Sequence, residues 1–260
     1  MEAMQLVGKV VLVTGGGRGI GRGIALAFLA AGAEVVIAGR TAVEDLPAVG
    51  ERRASFVQAD VRDVEQLDRL VGAAAERHGR LDVLINNAGG SPPADAATVS
   101  PRFSASIVQL NLIAPLWLAQ RANAVMQAQD GGGSIINIAS VSGTRPSPGT
   151  AAYGAAKAGL INLTQSLAVE WAPRVRVNAV VAGPIRTELA HLHYGDEAGI
   201  AAVDATIPAG RMGTPADVAG ACLYLASPAA AWVSGSSLLV HGGGERPAFL
   251  AAANARPGPT

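Results

Sequence analysis

A serine, a tyrosine and a lysine in the middle of the chain are spaced so that they could move a proton together. Ser140 ends an apolar run, Tyr153 follows 13 residues later, and Lys157 lies four residues beyond it. Tyr153 and Lys157, at positions i and i+4, are predicted to share one face of a helix. A free tyrosine, with a pKa of about 10, carries protons poorly at neutral pH, but a cation about 4 Å away would lower that pKa by roughly three units. The trio therefore favours acid–base catalysis, whereas the tyrosine and lysine alone would also suit an ordinary helix surface.

A glycine-rich turn near the start of the chain has the pattern of a phosphate-binding site. Residues 14–21 read Thr-Gly-Gly-Gly-Arg-Gly-Ile-Gly, after an apolar strand pattern and before a helical one. Glycines let the backbone approach a pyrophosphate, and the free N–H groups at a helix N-terminus bind anions. The segment contains no Gly-Lys-Ser/Thr, which excludes a Walker loop. A plain tight turn is the alternative interpretation.

The residue after the second predicted strand distinguishes between two dinucleotides. An NAD site has an acidic residue there, which binds the ribose 2′-hydroxyl. Here Gly39 is followed by Arg40, and Arg18 lies in the glycine turn. Two arginines could hold a 2′-phosphate through charge-assisted hydrogen bonds. The sequence therefore predicts NADP(H), with NAD(H) as the alternative, and argues against a methyltransferase; a solvated surface arginine is the other interpretation of Arg40.

Short apolar runs alternate with helical segments along the whole chain, and these elements must position the chemistry. The predicted strands cover residues 10–13, 34–38, 55–57, 83–85, 134–138, 176–181 and 238–240. The predicted helices cover residues 20–31, 64–77, 103–128, 151–171 and 215–225. Strands that are almost continuously Val, Ile and Leu are buried on both faces, which is typical of parallel sheets. The pattern predicts a single α/β domain: a doubly wound, Rossmann-type parallel sheet of about seven strands with helices on both faces.

Composition restricts the classes of partner. The 260 residues include 20 basic and 20 acidic side chains, so the formal net charge is zero and neither nucleic acid nor an anionic membrane is expected as a partner. Cys222 is the single cysteine, which excludes an internal disulfide. His191 and His193 have no acidic or cysteine partner at a suitable spacing, so no metal is expected. With neither a secretory pattern nor a continuous apolar span, the sequence predicts a cytoplasmic protein.

Together these motifs resemble the short-chain dehydrogenase/reductase family from about residue 6 to residue 243. The resemblance implies that Tyr153 exchanges a proton with the substrate oxygen, which Ser140 steadies. It implies that Lys157 lowers the pKa of Tyr153 and binds the nicotinamide ribose, and that Asn111 holds a water molecule in a proton relay. Pro115 lies four residues after Asn111 and has no N–H, so the freed Asn111 carbonyl could bind that water; a simple helix kink is the alternative.

The same resemblance implies a set of cofactor contacts. Residues 86–89 read Asn-Asn-Ala-Gly and match the family signature after the fourth strand, while residues 183–187 match the segment that holds the nicotinamide amide. Asp60 and Val61 match the pair at the adenine ring. The implied cofactor-binding residues are Gly15, Gly17, Arg18, Gly19, Ile20, Gly21, Arg40, Asp60, Val61, Asn87, Ala88, Gly89, Tyr153, Lys157, Pro184, Ile185 and Thr187.

The resemblance also implies what the protein would act on and how it would assemble. Residues 1–245 are expected to form the dinucleotide-binding and catalytic domain, with residues 186–208 as its substrate segment and 246–260 as a C-terminal tail. The expected reaction moves a hydride between nicotinamide and a small carbonyl or secondary alcohol. The alternatives are a 3-oxoacyl-carrier-protein reductase acting on a thioester, an NAD(H)-dependent alcohol, steroid or sugar dehydrogenase, and a non-catalytic dinucleotide-binding protein. A homotetramer is expected, with helices 103–128 and 151–171 at one interface and the last strand at another, and a charged fraction of only 15% agrees with covered surface.

Overall fold

A parallel sheet of seven strands forms the centre of the protein, which is described by a computed structural model over residues 4–248 and at residue 252. The strands are β1 (Val10–Thr14), β2 (Glu34–Gly39), β3 (Ala48–Val49), β4 (Arg52–Arg53), β5 (Ser55–Gln58), β6 (Val83–Asn86), β7 (Gly133–Ser140), β8 (Val175–Ala182) and β9 (Ser237–Val240). The helices are α1 (Gly19–Ala30), α2 (Val64–His78), α3 (Pro101–Val108), α4 (Ala114–Ala128), α5 (Ala151–Glu170), α6 (His191–Tyr194), α7 (Glu197–Thr206) and α8 (Pro215–Ala226).

The strand order is that of a doubly wound sheet. The sheet runs β5-β2-β1-β6-β7-β8-β9, and every neighbouring pair is parallel. The predicted Rossmann-type fold is therefore confirmed, and each of the seven predicted strands lies in the sheet. Strands β3 and β4 form a separate antiparallel pair that the sequence did not indicate, because two residues are too few for a period to be recognised.

Alternating residues of each strand face opposite layers of helices. In β1, Val11 and Val13 pack in the cluster that includes α1 and α8, while Val10 and Leu12 pack in the one that includes α2, α4 and α5. All five residues of β1 are buried. This double burial explains why the strand reads as an unbroken apolar run.

The long helix predicted over residues 103–128 is interrupted. A π-helical turn, Gln109–Ile113, separates α3 from α4, and the Ala114 N–H donates to the Gln109 carbonyl. The cause is Pro115, which has no N–H and whose ring crowds the carbonyl one turn earlier; a π-turn accommodates both effects.

Among the described residues, Pro101–Ala128 is the helix with the length and apolar composition of a membrane span, yet α4 packs against α2 and the sheet.

The segment after β8 has more structure than its sequence pattern indicates. Helices α6 and α7 fold over a small apolar cluster that is made of Ala190, Ile200, Ile207 and Met212, with Tyr194 against it. The Asp196 carboxylate caps α7 by accepting from the N–H groups of the next turn. The π-turn at Pro115, the β3–β4 pair and this segment are thus the places where the structure departs from the local sequence pattern.

A buried carboxylate joins β1 to β6 at the amino ends of these strands. Asp82 accepts hydrogen bonds from Lys9 Nζ at 2.9 Å, from Arg80 Nε at 2.7 Å and from the Val10 N–H at 3.0 Å. Burial raises the pKa of this carboxyl, but the hydrogen bonds from Arg80, Val10 and Lys9 outweigh it and hold the pKa below its usual value. Outside α5, Lys9 is the only lysine in the chain, and this is its role.

Replacing Asp82 by alanine is expected to lower the free energy of unfolding by about 1–3 kcal/mol, because the buried Val10 N–H and two cations lose their acceptor. Asp68→Ala is the matched control: Asp68 pairs with Arg121 but its side chain is 65% exposed, so a loss of less than about 1 kcal/mol is expected. Urea denaturation of both variants at one protein concentration measures the difference. Equal losses for the two variants would contradict this assignment.

Candidate active site

The carboxyl ends of β1, β6, β7 and β8 meet at one edge of the sheet, and the predicted catalytic residues lie there. Ser140 is the last residue of β7, and Tyr153 and Lys157 lie one turn apart on α5. Lys157 Nζ is 5.6 Å from the centroid of the Tyr153 ring. The Ser140 hydroxyl oxygen accepts from the Ser142 N–H at 3.2 Å, which fixes the start of the loop towards α5. The structure therefore brings the serine, the phenol and the ammonium group into one site.

Lys157 is a buried cation with a defined acceptor. Its side chain is buried, and Nζ donates to the Ile138 carbonyl at 2.7 Å. Burial lowers the pKa of this lysine from 10.5 to about 8, because a charged ammonium group loses its hydration. The residue is therefore close to its titration point near neutral pH.

The pKa of Tyr153 moves in the direction opposite to the one expected from the lysine. Burial raises it, and the interaction with Ser140, which lowers it, does not compensate. The reason is geometric: Lys157 Nζ is directed to the Ile138 carbonyl, and the phenol is itself desolvated. A raised pKa keeps the phenol protonated, so in this state Tyr153 is a proton donor.

Asn111 lies in the π-turn and joins the helix to the loop after β6. It is fully buried, its Nδ2 donates to the carbonyls of Gly90 and Ile107 at 2.9 Å each, and its Oδ1 accepts from the Gly90 N–H at 2.9 Å. A Cβ atom on Gly89 would lie 2.7 Å from this Oδ1 and 3.4 Å from Lys157 Nζ. The side chains of Asn111 and Lys157 thus both approach Gly89, where only glycine fits. Binding of a water molecule by the Asn111 backbone carbonyl stays a prediction.

A chain of buried amides holds α5 against the sheet. Asn86 Nδ2 donates to Asn137 Oδ1 at 2.9 Å, and Asn137 Nδ2 donates to Thr164 Oγ1 at 2.9 Å. All three side chains are buried, and they link β6, β7 and α5. Sequence reasoning missed Asn137 and Thr164; their only signal is a polar residue inside an otherwise apolar element.

Thr14 belongs to the predicted glycine turn, but the sequence did not indicate its role in positioning the site. Its Oγ1 accepts from the N–H groups of Asn87 and Ala88 at 2.9 Å each, and Asn87 Nδ2 donates to the Thr14 carbonyl at 2.8 Å. These bonds fasten the glycine turn to the loop after β6. A polar side chain at the end of the buried strand β1 was the signal that could have identified it.

The glycine turn has the shape of a cradle. Gly15 and Gly19 have φ values of +66° and +53°, which favour glycine, and a Cβ atom on Gly21 would lie 2.5 Å from Asn87 Nδ2. Glu188 Oε1 accepts from the Gly19 N–H at 2.8 Å, so a carboxylate already binds at the N-terminus of α1. The turn therefore accepts an anion, as a pyrophosphate site must.

The remaining predicted cofactor residues surround this cradle. Neither Arg18 nor Arg40 forms a side-chain hydrogen bond within the described chain, and both are exposed. The guanidinium of Arg62 holds the pKa of the Asp60 carboxyl below its usual value, with a smaller contribution from the charge of Arg40. The other predicted positions lie in three segments: Gly17 and Ile20 in the turn and the start of α1, Val61 in the loop after β5, and Pro184, Ile185 and Thr187 in the segment after β8.

The segment after β8 is fixed opposite the turn. Gly213 N–H donates to the Pro184 carbonyl at 3.0 Å, and its carbonyl accepts from the Arg186 N–H at 2.8 Å. A Cβ atom on Gly19 would lie 3.6 Å from Thr187 Cγ2, so the two segments face each other. An anion cradle, a facing segment and a proton donor at the same sheet edge fit a nicotinamide dinucleotide.

No group of three or more His, Cys, Asp or Glu residues that could hold a metal ion occurs among the residues the structure describes. His191 and His193 both lie on α6 with exposed side chains.

Comparison with known proteins identifies clear relatives. The family model described as Enoyl-(Acyl carrier protein) reductase matches residues 15–245. The chain is 41% identical over 249 residues to an uncharacterised oxidoreductase of Mycobacterium tuberculosis, covering 94% of each protein.

Two solved structures have the same fold over nearly their whole length. A putative NAD(P)-dependent gluconate 5-dehydrogenase from Beutenbergia cavernae, with NADP bound at low occupancy, matches with a TM-score of 0.86 and 39% identity, covering 93% of this chain and 98% of that one. A short-chain type dehydrogenase/reductase from Mycobacterium marinum matches with a TM-score of 0.87 and 34% identity, covering 95% and 99%.

The buried Lys157 makes stability depend on pH. Because its pKa is about 8 in the folded state and 10.5 unfolded, the unfolded state binds more protons between these values, and the folded state gains stability as pH rises through them. Lys157→Met removes a charge whose burial costs up to about 3 kcal/mol at pH 7, offset in part by the orphaned Ile138 carbonyl. The stability of the variant relative to wild type is expected to be higher at pH 7 than at pH 9.5, as measured by urea denaturation.

The difference between variant and wild type cancels the titration of groups that lie away from residue 157. A difference that stays constant between pH 7 and pH 9.5 would contradict the assignment of a charged, buried lysine.

Proposed function

The chain belongs to the short-chain dehydrogenase/reductase family, a family of oxidoreductases that bind nicotinamide dinucleotides and act on alcohols and ketones, and on this premise we propose that it is NADP(H)-dependent and interconverts a carbonyl and a secondary alcohol. The observation that carries the proposal is the meeting of Ser140, Tyr153 and Lys157 at the edge of the sheet that also holds the glycine cradle. The catalytic and cofactor-binding roles of individual residues are part of this proposal.

The bound cofactor would supply or accept the hydride. In the direction of reduction, the Tyr153 phenol donates its proton to the carbonyl oxygen, and the Ser140 hydroxyl donates a hydrogen bond to the same oxygen. The raised pKa of Tyr153 keeps the phenol protonated at neutral pH. Lys157, beside the ring, stabilises the phenolate that forms, and Asn111 holds the loop and helix on which this geometry depends.

We propose NADP(H) rather than NAD(H) because two positively charged arginine side chains lie in and near the glycine turn. Arg40 follows β2 where an NAD site has an acidic residue, and Arg18 lies in the turn. Both guanidinium groups are free to bind a 2′-phosphate, because neither pairs with another described side chain. The bound NADP in the Beutenbergia cavernae structure supports the same choice.

A second candidate is a 3-oxoacyl-carrier-protein reductase, which acts on a thioester. The description of the matching family model, Enoyl-(Acyl carrier protein) reductase, supports a carrier-bound acyl substrate, but it names reduction of a C=C bond and not of a ketone. A purely dinucleotide-binding role would leave the serine, tyrosine and lysine without a purpose.

We also propose a homotetramer formed by copies of this chain. Val169 at the end of α5 is 81% exposed, Leu239 on the edge strand β9 is 52% exposed, and Trp232 just before it is fully exposed. Apolar side chains on α5 and at β9 suit the two expected interfaces. Three further expectations remain parts of the proposal: residues 1–245 form one functional domain, residues 186–208 form its substrate segment, and the protein is cytoplasmic without nucleic-acid or membrane partners. The predicted tail, 246–260, lies largely outside the described residues.

Tyr153→Phe is expected to lower kcat for a ketone that the wild type reduces by about 10²–10⁴-fold, because the proton donor is lost. Binding of NADPH, measured by fluorescence titration, is expected to change less than about threefold, within the usual context effects on a lost contact. Tyr224→Phe, on α8, is the matched control and is expected to retain activity. Full activity of Tyr153→Phe would refute the mechanism.

Arg40→Ala is expected to reduce the preference for NADPH over NADH by about 10–100-fold, the equivalent of one lost charge-assisted hydrogen bond. Dissociation constants for both cofactors, measured by calorimetry, check this. Arg69→Ala removes the same charge from an exposed position on α2 and is expected to leave the preference unchanged. The same cofactor preference in wild type and Arg40→Ala would exclude the phosphate contact.

A further inference from the structure

A cleft of about 160 Å³ opens beside the proposed catalytic residues. It adjoins the site at two points, because Val141 directly follows Ser140 and Pro184 belongs to the segment that faces the glycine turn. Its lining includes Val141, Thr144, Arg145, Pro184, His241 and Glu245. Four of these six residues are polar or charged, although apolar atoms contribute most of the surface that faces the cleft.

An ion pair spans this cleft. Arg145 Nη2 contacts Glu245 Oε1, although the two residues are 100 positions apart in the sequence. Both side chains are partly accessible, at 41% and 39% exposure. Arg145 also donates to the Pro146 carbonyl at 3.0 Å, which holds the guanidinium in place. The cleft therefore presents a cation and an anion side by side, with no net charge from the pair.

The position of Glu245 is built by the backbone. Gly242, Gly243 and Gly244 have φ values of +63°, +95° and +87°, a run of left-handed conformations that favours glycine at each step. The Gly242 carbonyl accepts from the Ala209 N–H at 2.9 Å. This turn reverses the chain after β9 and directs the glutamate towards Arg145.

The pair is electrostatically coupled to the phenol. Burial raises the pKa of Tyr194, the charge of Glu245 raises it further, and the charge of Arg145 lowers it. Tyr194 in turn raises the pKa of Tyr153. Tyr194 is thus close enough for its ionisation to interact with the charges of the ion pair and with Tyr153, while the cleft itself reaches the catalytic residues through Val141, which follows Ser140.

We propose that Arg145 and Glu245 select a neutral polyhydroxylated substrate, a sugar or polyol, whose neighbouring hydroxyl groups bridge the guanidinium and the carboxylate. A vicinal diol can donate to Glu245 and accept from Arg145 without separating the two charges. This inference rests on the proposed function, because it names the substrate class of the same site.

The two rival classes of substrate fit the pair less well. An acyl chain in the cleft would remove water from both charged groups and offer no hydrogen bond in return. A sugar acid would bring its carboxylate next to Glu245, and it could reach Arg145 only by displacing that glutamate. The neutral polyol alone keeps every polar group paired.

The test compares four classes of compound: polyols, sugar acids, an apolar secondary alcohol and a thioester. The purified full chain with NADP⁺ is assayed for oxidation of galactitol, sorbitol and xylitol, of galactonate and gluconate, and of octan-2-ol; reduction of an acetoacetyl thioester with NADPH is measured alongside. The wild type is expected to show its highest kcat/KM for a polyol. Glu245→Gln, which frees the charge of Arg145, is expected to raise the ratio of kcat/KM for an acid over its matching polyol by about tenfold or more.

Arg145→Gln is expected to lower kcat/KM for the polyols and to leave the acids no better. Asp68→Asn, which breaks a surface ion pair on α2, is the control and is expected to leave all ratios unchanged. Thermal unfolding of each variant checks that the fold is retained.

Two outcomes separate this inference from the proposed function. Turnover of octan-2-ol or the thioester but of no polyol, or an acid-to-polyol ratio that Glu245→Gln leaves unchanged, would overturn the inference alone. A wild type that oxidises or reduces none of these compounds would overturn both.

Discussion

The burial of one ammonium group is the constraint on which the rest of the site depends. Lys157 is almost completely enclosed, and desolvation brings its pKa to about 8. A cation in that position is tolerated only because the Ile138 carbonyl accepts from it and the Tyr153 ring lies beside it. Gly89 must lack a side chain, since a Cβ atom there would crowd both the lysine and Asn111. The chain thus accepts a local cost in stability at the place where the proposed mechanism transfers a proton.

The parallel sheet explains why residues so distant in the sequence meet around that lysine. The carboxyl ends of parallel strands lie at one edge, so the loops after β1, β6, β7 and β8 are neighbours. Thr14 then fixes the turn after β1 to the loop after β6, and Asn86 and Asn137 carry the connection on to α5. Each of these bonds joins two consecutive segments of the site, and they are buried, so breaking one leaves a polar group without a partner.

Sequence patterns were sufficient where the information is local. The apolar runs predicted all seven strands of the sheet, and the spacing of Tyr153 and Lys157 predicted their shared helix face. Where the outcome depends on a balance of forces or on distant residues, the sequence was insufficient. The direction of the Tyr153 pKa shift follows from burial, which spacing does not reveal. The ion pair of Arg145 and Glu245 joins residues 100 positions apart, so no local pattern contains it.

The distribution of charge along the site gives its two ends different chemistry. At the far end of the cradle, Arg18 and Arg40 leave positive charge unpaired within the described chain, which suits an anionic cofactor. In the substrate cleft, Arg145 is neutralised by Glu245. An arginine left free in the cleft would offer phosphates and carboxylates a second site close to the phenol. The glutamate removes that competition, and it leaves donors and acceptors that hydroxyl groups can still use, so the same pair that excludes anions provides the contacts for a neutral substrate.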